Sequence, residues 1–535
     1  MRATFQGLEA AKRAIFTQQS ALYTTGHNIA NANTPGFSRQ RVDFKATDGF
    51  PTAAFNRPEM PGQVGTGVEA GAIQRYRDTF LDSQYRQQNT GLGYWSSQAS
   101  ALHRMEEVMN EPSEQGLAKV MDQFWSSLED LSVYPEDAGA RAVVLQRGQA
   151  LAETFNYLDN RLNVNKTDIG SQIDNTSFEV NGILRQIHAL NTQIGEIEPN
   201  GYLPNDLYDQ RDTLIDDLSK HLSIKVTYTS SGGNSSGAAQ GKATIELIND
   251  QKRHMAFLVD GKVDKYNQIR VDMDPNRQYV TGVVIGELDR RGSQTQSKTF
   301  DMNSFTSEGT LLGHIHGFGY EMPADPADPD SVPEIHGTYP AMLREINLIA
   351  HNFAQRFNEV HSEGWNLDEI RKGEPTDPKV DFFDAASLAD PTKAAALLKL
   401  SAEIDGFPDR IAASKPSGDP AIAFSGNGAI ALALTRVKDE ALDFNGQETS
   451  VTNYYQGVIG NMGVLTSAAD RLGGNNSVLL DSIQRNRDSV SSVSLDEEMT
   501  NMIKYQQAFN AASRMVNAVD EMLDKIINGM GLVGR

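Results

Sequence analysis

Residues 502–530 read MIKYQQAFNAASRMVNAVDEMLDKIINGM, and their spacing decides how the chain is built. Met502, Phe509, Val516, Leu523 and Met530 recur every seven residues. Tyr505, Ala512, Val519 and Ile526 fall three residues after the first four. Apolar residues at alternating three- and four-residue steps make one stripe on a helix, the seam of a coiled coil. Left bare, such a stripe drives association, so it requires a partner. Glu497 and Glu498 fall in the first turn, where carboxylates suit the helix dipole.

A matching stripe lies near residue 1. Leu8, Ile15, Leu22 and Ile29 are also spaced by seven, in a helical stretch over 3–31. The expectation is an intrachain coiled coil of the two terminal helices. Gly7, Ala14 and Ala21 form a second row of small residues, which lets another backbone approach closely. The pair is therefore also expected to pack beside copies of itself or its relatives.

The first helix stops in GHNIANANTPGFSRQRVDF, residues 26–44. Pro35 pushes Thr34 out of the helical region, and Gly36 is free to take positive φ. Asn28, Asn31 and Asn33 can satisfy loose backbone groups locally. Phe37 onward leaves as extended chain. Arg39 and Arg41 are candidates for contacts with an acidic neighbour.

Residues 42–80 read as extended and irregular, with Pro51, Pro58 and Pro61. Helical runs follow at about 79–109, 114–132, 138–197 and 205–222. The third has no proline and reads as one very long helix, with Gly170 a candidate break. Glu198-Pro199-Asn200-Gly201 turns the chain, and Asn205 or Asp206 can cap the next helix. From residue 223 apolar and polar residues alternate around a Gly/Ser loop, and 223–313 reads as strands. An acidic, proline-rich connector covers 321–334. Residues 338–363 return to helix, 364–425 are loop-rich, and 428–442 and 448–490 are helical again.

The expected fold class is α+β, mainly α. Residues 1–45 and 490–535 make a terminal coiled-coil domain. Residues 46–222, 338–370 and 426–489 make a helical bundle, 223–337 an inserted β-rich domain, and 371–425 a small mixed segment.

Composition narrows the function classes. Seventy acidic residues against 48 basic give a net charge of −22, which argues against nucleic-acid and anionic-lipid partners. With no cysteine there is no disulfide and no thiolate chemistry. No apolar run reaches the roughly 18 residues of a membrane span. The first twenty residues lack the continuous apolar stretch of a cleaved secretory signal.

Motifs for chemistry are weak. Gly233–Gly237 matches G-x-S-x-G around Ser235, but in a Ser/Gly loop rather than a strand-to-helix elbow. Residues 65–71, GTGVEAG, have the wrong spacing for a dinucleotide loop. His314 and His316 could share one face of a strand and hold a metal. His351 and His361 are ten apart, not four. Asp272, Asp274 and the acidic loop 325–330 lack the closing Glu of a calcium loop. No catalytic residue, cofactor or metal is expected.

The stretch ALYTTGHNIANANTPGFSRQ resembles the N-terminal motif of the bacterial flagellar axial proteins, which comprise rod, hook and hook-associated proteins. His27 stands where that motif usually has Asn. Asn28, Asn31, Asn33, Pro35, Gly36 and Phe37 carry the resemblance. Three further stretches resemble the hook-associated protein 1 family within that class: GVEAGAIQRYRDTFLDSQYR, PNDLYDQRDTLIDDLSKHL, and the C-terminal helix with its Leu-Asp-Glu-Glu and Tyr-Gln-Gln. The resemblance implies a non-enzymatic adaptor at the junction of hook and filament, built as a short helical ring of copies. It implies that terminal helices form an inner tube, and that the β insertion faces outward. It implies export through the flagellar type III route without a cleaved signal, with a cytoplasmic chaperone on the C-terminal helix. The implied partners are further copies, hook protein and the next hook-associated protein. The candidate assembly residues are Leu8, Ile15, Leu22, Ile29, Met502, Tyr505, Phe509, Val516, Val519, Leu523 and Ile526. Two other readings stand beside it: another axial protein such as hook or distal rod, and an exported hydrolase with a catalytic β head.

Overall fold

In the computed structural model the described residues are 2–51, 55, 62–109, 113, 116–288, 294–324, 332–376, 379–416 and 422–529. Met530 of the seam, Pro58, Pro61 and the acidic loop 325–330 lie outside them. Helix α1 covers Arg2–Ala30. Strands β1 (Gln40–Ala46) and β2 (Val68–Arg75) then pair antiparallel. The hairpin lies along α1: Thr17 Oγ1 donates to Val68 O at 3.2 Å, and Gly67 passes so close that a Cβ there would stand 3.3 Å from Ala10 Cα.

Four helices follow: α2 (Thr79–Met109), α3 (Leu117–Val133), α4 (Ala138–Ile197) and α5 (Asn205–His221). Their bounds lie close to those expected. Helix α4 runs 60 residues without a break, about 90 Å at the usual rise. Gly170 does not interrupt it. A Cβ there would stand 2.9 Å from Phe318 Cε2, so the glycine makes room for a packed ring. Neither Asn205 nor Asp206 caps α5, because both side chains are drawn to Gln40 at the chain's first corner.

The strand-rich segment forms two sheets against α4. Strands β3 (Ile224–Thr229), β4 (Lys242–Ile248), β5 (His254–Asp260) and β6 (Lys265–Tyr266) pair in that order. In the second sheet β7 (Gln268–Met273) and β9 (Gln294–Phe300) both pair with the long β8 (Val280–Leu288). Helix α6 (Thr310–Phe318) follows, then β10 (Tyr320–Met322) and β11 (Glu334–His336), which complete that sheet. Two asparagines of α4 dock the sheets. Asn191 bonds both backbone groups of Ala243, at 2.8 and 2.9 Å. Asn181 does the same for Ile269, at 2.8 Å each. A side-chain amide thereby replaces a missing strand partner.

Helix α7 covers Thr338–Ser362, with short helices α8 (Leu367–Lys372), α9 (Ala394–Leu397) and α10 (Ala429–Arg436) after it. Expected helix 428–442 ends at Arg436, and its last residue, Leu442, starts a small hairpin, β12 (Leu442–Phe444) and β13 (Gln447–Thr449). Helix α11 (Val451–Ser491) packs along α2, and α12 (Leu495–Gly529) packs along α1. One buried apolar cluster runs from the helices into both sheets. Its densest part is aromatic: Phe124, Trp125, Phe353, Phe357, Phe382 and Phe383, with neighbouring ring centres 5.0–6.3 Å apart.

Candidate assembly joint

The corner after α1 is set by its own sequence and then clamped from outside. Asn31 caps the helix end, its Nδ2 donating to His27 O at 3.0 Å. Gly36 takes φ +78° and presses on α5, where a Cβ would overlap Thr213 Oγ1. Ser38 N–H donates to Asp209 Oδ2 at 3.0 Å. Asn28, 1 % exposed, bonds both backbone groups of Gln40, at 2.8 and 3.0 Å. That amide folds β1 back against the helix it has just left.

The same amide nitrogen donates to Glu498 Oε2 at 3.1 Å. Glu498 is nearly fully buried, and Arg39 Nε reaches its other oxygen at 2.7 Å. Arg39 also pairs with Glu497 at 2.7 Å. Burial works against the Arg39 charge, but the two glutamates outweigh it and raise its pKa. Arg39 thus finds its acidic neighbours in its own chain, and Arg41 is exposed. The first-turn glutamates of α12 serve the corner as well as the dipole.

Beside the corner lies a buried charge network. Along one face of α5, Asp209, Asp212 and Asp216 meet three arginines of the β2–α2 stretch. Arg75 holds Asp209 at 2.5 Å and Asp212 at 3.0 Å. Arg77 pairs with Asp82 at 2.7 Å and with Asp212 at 3.4 Å. Arg86 holds Asp216 at 2.7 Å. Arg487, near the end of α11, closes the network with Asp216 at 2.5 Å and Asp82 at 3.0 Å. Burial opposes ionisation of Asp212, but Arg77, Arg75, Arg211 and Arg86 prevail and hold its carboxyl below the ordinary range. At Asp209 burial prevails over Arg75 and raises the pKa. Four stretches distant in sequence, 26–41, 68–86, 205–216 and 487–498, meet here. All but Arg487 and the residues up to Ser494 belong to motifs singled out above, and none of the pairings follows from local pattern.

The expected assembly residues lie as follows. Leu8, Ile15, Leu22 and Ile29 are half-buried, as are Met502, Tyr505, Phe509, Val516 and Leu523. Val519 is buried and Ile526 is 37 % exposed. The deepest residues of α1 are small or polar: Ala11, Thr17, Ala21, Thr24, Thr25 and Asn28. A second apolar set is left bare and was not picked out from the spacing: Phe16 and Tyr23 on α1, and Met499, Ile503, Met515, Met522 and Ile527 on α12. Large residues off the heptad seam were the available signal.

The chemical candidates resolve into structure. His314 and His316 sit on helix α6, not a strand, because Leu311, Leu312, Ile315 and Phe318 bury one helical face. Burial lowers both imidazoles to about 4, and His316 Nδ1 lies 2.9 Å from Tyr94 Oη. Asp274 accepts the Asn276 and Tyr279 N–H groups of the β7–β8 turn, at 2.9 and 3.0 Å. Asp272 pairs with Arg270. Ser235 donates within its own loop to Gly232 O. Among the described residues no group of three or more His, Asp or Glu is placed to hold a metal.

Two long terminal helices, an Asn-rich corner and a hairpin thus meet in one joint, and the family matches of both ends make it that of a flagellar axial protein. The comparisons agree: residues 8–37 match the flagella basal body rod protein family and 485–529 the flagellar basal body rod FlgEFG protein C-terminal family. Residues 102–378 match the flagellar hook-associated protein FlgK helical domain, through the strands as well as the helices. The chain is 42 % identical to flagellar hook-associated protein 1 of Bacillus subtilis (strain 168), across the whole of both chains. It is 22 % identical to flagellar hook-associated protein 1 of Salmonella typhimurium, over 95 % of this chain and 97 % of that one. A flagellar hook junction protein FlgK from Burkholderia pseudomallei has a similar fold, with TM-score 0.57 at 14 % identity, covering 76 % of this chain and all of that one. The chain belongs to the flagellar hook-associated protein 1 family. Its role is structural, as a hook-associated part of the bacterial flagellum.

Proposed function

We propose that the chain joins hook to filament as a short ring of copies packed through their terminal helices. The bare apolar set on α1 and α12 carries this reading. A helix pair that covers its own seam yet leaves Ile503, Met515, Met522 and Ile527 half-exposed or more has a second face to bury. Neighbouring copies meeting through unlike faces form an open helical array, which hook and filament subunits would terminate. In this reading residues 1–45 and 490–535 line the inner tube, the bundle forms the next layer, and 223–337 faces outward. Hook protein lies on one side and the next hook-associated protein on the other. A chaperone covers the C-terminal helix before type III export without a cleaved signal, and the site of action is extracellular.

Electron microscopy of a deletion strain tests it. The expected result is hooks without filaments, with filament protein in the medium. Hooks that carry normal filaments would refute it, and loss of the hooks themselves would favour a hook or distal-rod role.

A further inference from the structure

We propose that neighbouring copies also meet through their bundles, an outer ridge of α4 on one chain lying in a trough of α11 on the next. The inference rests on the reading of the chain as a ring of copies, and adds a second contact outside the terminal helices. On α4, Val143, Tyr157, Val164 and Phe178 recur at multiples of seven residues, so they share one side of the helix. All four are exposed, Phe178 by 76 %. Such a row of apolar side chains along the outside of a helix is surface that association would bury.

Helix α11 carries the opposite relief. Residues 451–469 contain no Asp, Glu, Lys or Arg, although 22 % of the chain is charged. Depletion of charge marks the centre of an interface rather than a solvated surface. Gly457, Gly460 and Gly463 are exposed there, and a Cβ on any of them would meet nothing within 4 Å among the described residues. Glycine weakens a helix interior, so three in one stretch need a reason. At Gly148 and Gly93 the reason is inside the chain: a Cβ would stand 2.8 Å from the Phe382 ring at the first and overlap Lys220 O at the second. On α11 it lies outside, in a neighbour that comes close.

The two faces also match in spacing. Val464 and Val478 continue the α11 face, each 67 % exposed, and are spaced as Val164 and Phe178 are, about 21 Å along a helix. Gly457 and Leu465 border a recess of about 910 Å³ walled by Leu102, Met105 and Met342. It offers room and thioether surface to an aromatic ring such as that of Phe178. A ridge on one helix and a trough on another are unlike faces of one molecule. Each copy therefore offers its ridge to one neighbour and its trough to the other, and the contact propagates.

Cross-linking on intact flagella tests this, and the chain has no cysteine of its own to confuse it. Val164→Cys and Val464→Cys in one chain, bridged with a short bis-maleimide in a complemented deletion strain, should give a ladder of dimers and longer multiples. Either substitution alone should give none. Filaments restored by the double variant without a ladder would overturn the proposal. So would a ladder from a single variant, which means that like faces meet, or a product only with a protein of another mass. Gly460→Leu gives a second readout. The isolated chain should melt at the native temperature or above it, because the new side chain meets open space and replaces a glycine. Filament restoration should nevertheless fall by at least roughly tenfold. Native restoration, or a lowered melting temperature that places the glycine's reason inside the chain, would overturn the proposal. Normal filaments in the deletion strain would fail the ring reading itself, whereas missing filaments there with no ladder from the double variant would fail this contact alone.

Discussion

Asn28 and Glu498 are 470 positions apart in the chain, and their side chains meet at 3.1 Å inside the joint. The Asn28 amide also closes on both backbone groups of Gln40, so one side chain ties α1, β1 and α12 together. Asn28→Leu should leave an N–H, a carbonyl and a buried carboxylate short of partners. A cost of about 2–4 kcal/mol is expected. Circular dichroism should show terminal-helix content lost at lower temperature, while the bundle transition holds.

Gly36→Ala should act at the same corner by a different route. The backbone there has φ +78°, and a Cβ would overlap Thr213 Oγ1 on α5. Strain and overlap together are expected to cost roughly 2–3 kcal/mol. Gly26→Ala is the control, because a Cβ there meets nothing within 4 Å. Thermal melts should separate the two.

The charge network gives a sharper case. Asp212 is 1 % exposed and faces Arg75 and Arg77 at 3.0 and 3.4 Å. Asp212→Asn removes a charge that Arg75 and Arg77 share, leaving each buried guanidinium with one close carboxylate, Asp209 and Asp82. A loss of about 3–5 kcal/mol is expected in denaturant unfolding of the bundle. A change below 1 kcal/mol would show that the remaining aspartates compensate.

These residues show how far the sequence was legible. Seven-residue spacing announced both terminal helices, because a seam is a local pattern. Asn, Pro and Gly announced the corner. The partners of Asn28, Arg39 and Arg487 were not legible, since a pairing across hundreds of residues leaves no periodicity. Gly170 suggested a break because glycine weakens helices, yet its reason is the Phe318 ring lying against it. GHIHGFG alternates like a strand over a few residues, too short a run to separate the two periods. Packing of Leu311, Ile315 and Phe318 decided for a helix. Asn205 fits a cap by type, but Gln40 and Ile73 O claim its amide.

Acid should weaken the bundle in a defined window. Burial pushes His361 down to about 4 from its ordinary 6.5. Its geometry requires the neutral ring: Nδ1–H donates to Val380 O and Nε2 accepts from Ala412 N–H, each at 2.9 Å. A base depressed on folding is protonated more readily in the unfolded chain. The stability it contributes is therefore present above pH 6.5 and lost as pH falls toward 4. Roughly 3 kcal/mol is expected over that span. Denaturant melts of the native chain and His361→Gln should differ in slope within this window and run parallel above it. Parallel curves throughout would mean the ring titrates normally.

Outward and inward apolar residues on α12 should fail differently. Phe509 lies in the half-buried seam toward α1, whereas Ile503 and Met515 are 59 % and 55 % exposed. Phe509→Asp places a carboxylate between the two helices, so the isolated chain should lose terminal helix content. Ile503→Asp and Met515→Asp meet only solvent in the monomer, and surface changes of this kind shift stability by about 0.5 kcal/mol or less. In an array, each would bury an unpaired charge against the neighbouring copy, at a cost of several kcal/mol per contact. The expected outcome is a monomer with unchanged circular dichroism and melting temperature that does not restore filaments in a deletion strain. Leu22→Asp should behave like Phe509→Asp, with the middle of the chain still folded. Full motility with Ile503→Asp and Met515→Asp combined would place the contact between copies elsewhere than on this face.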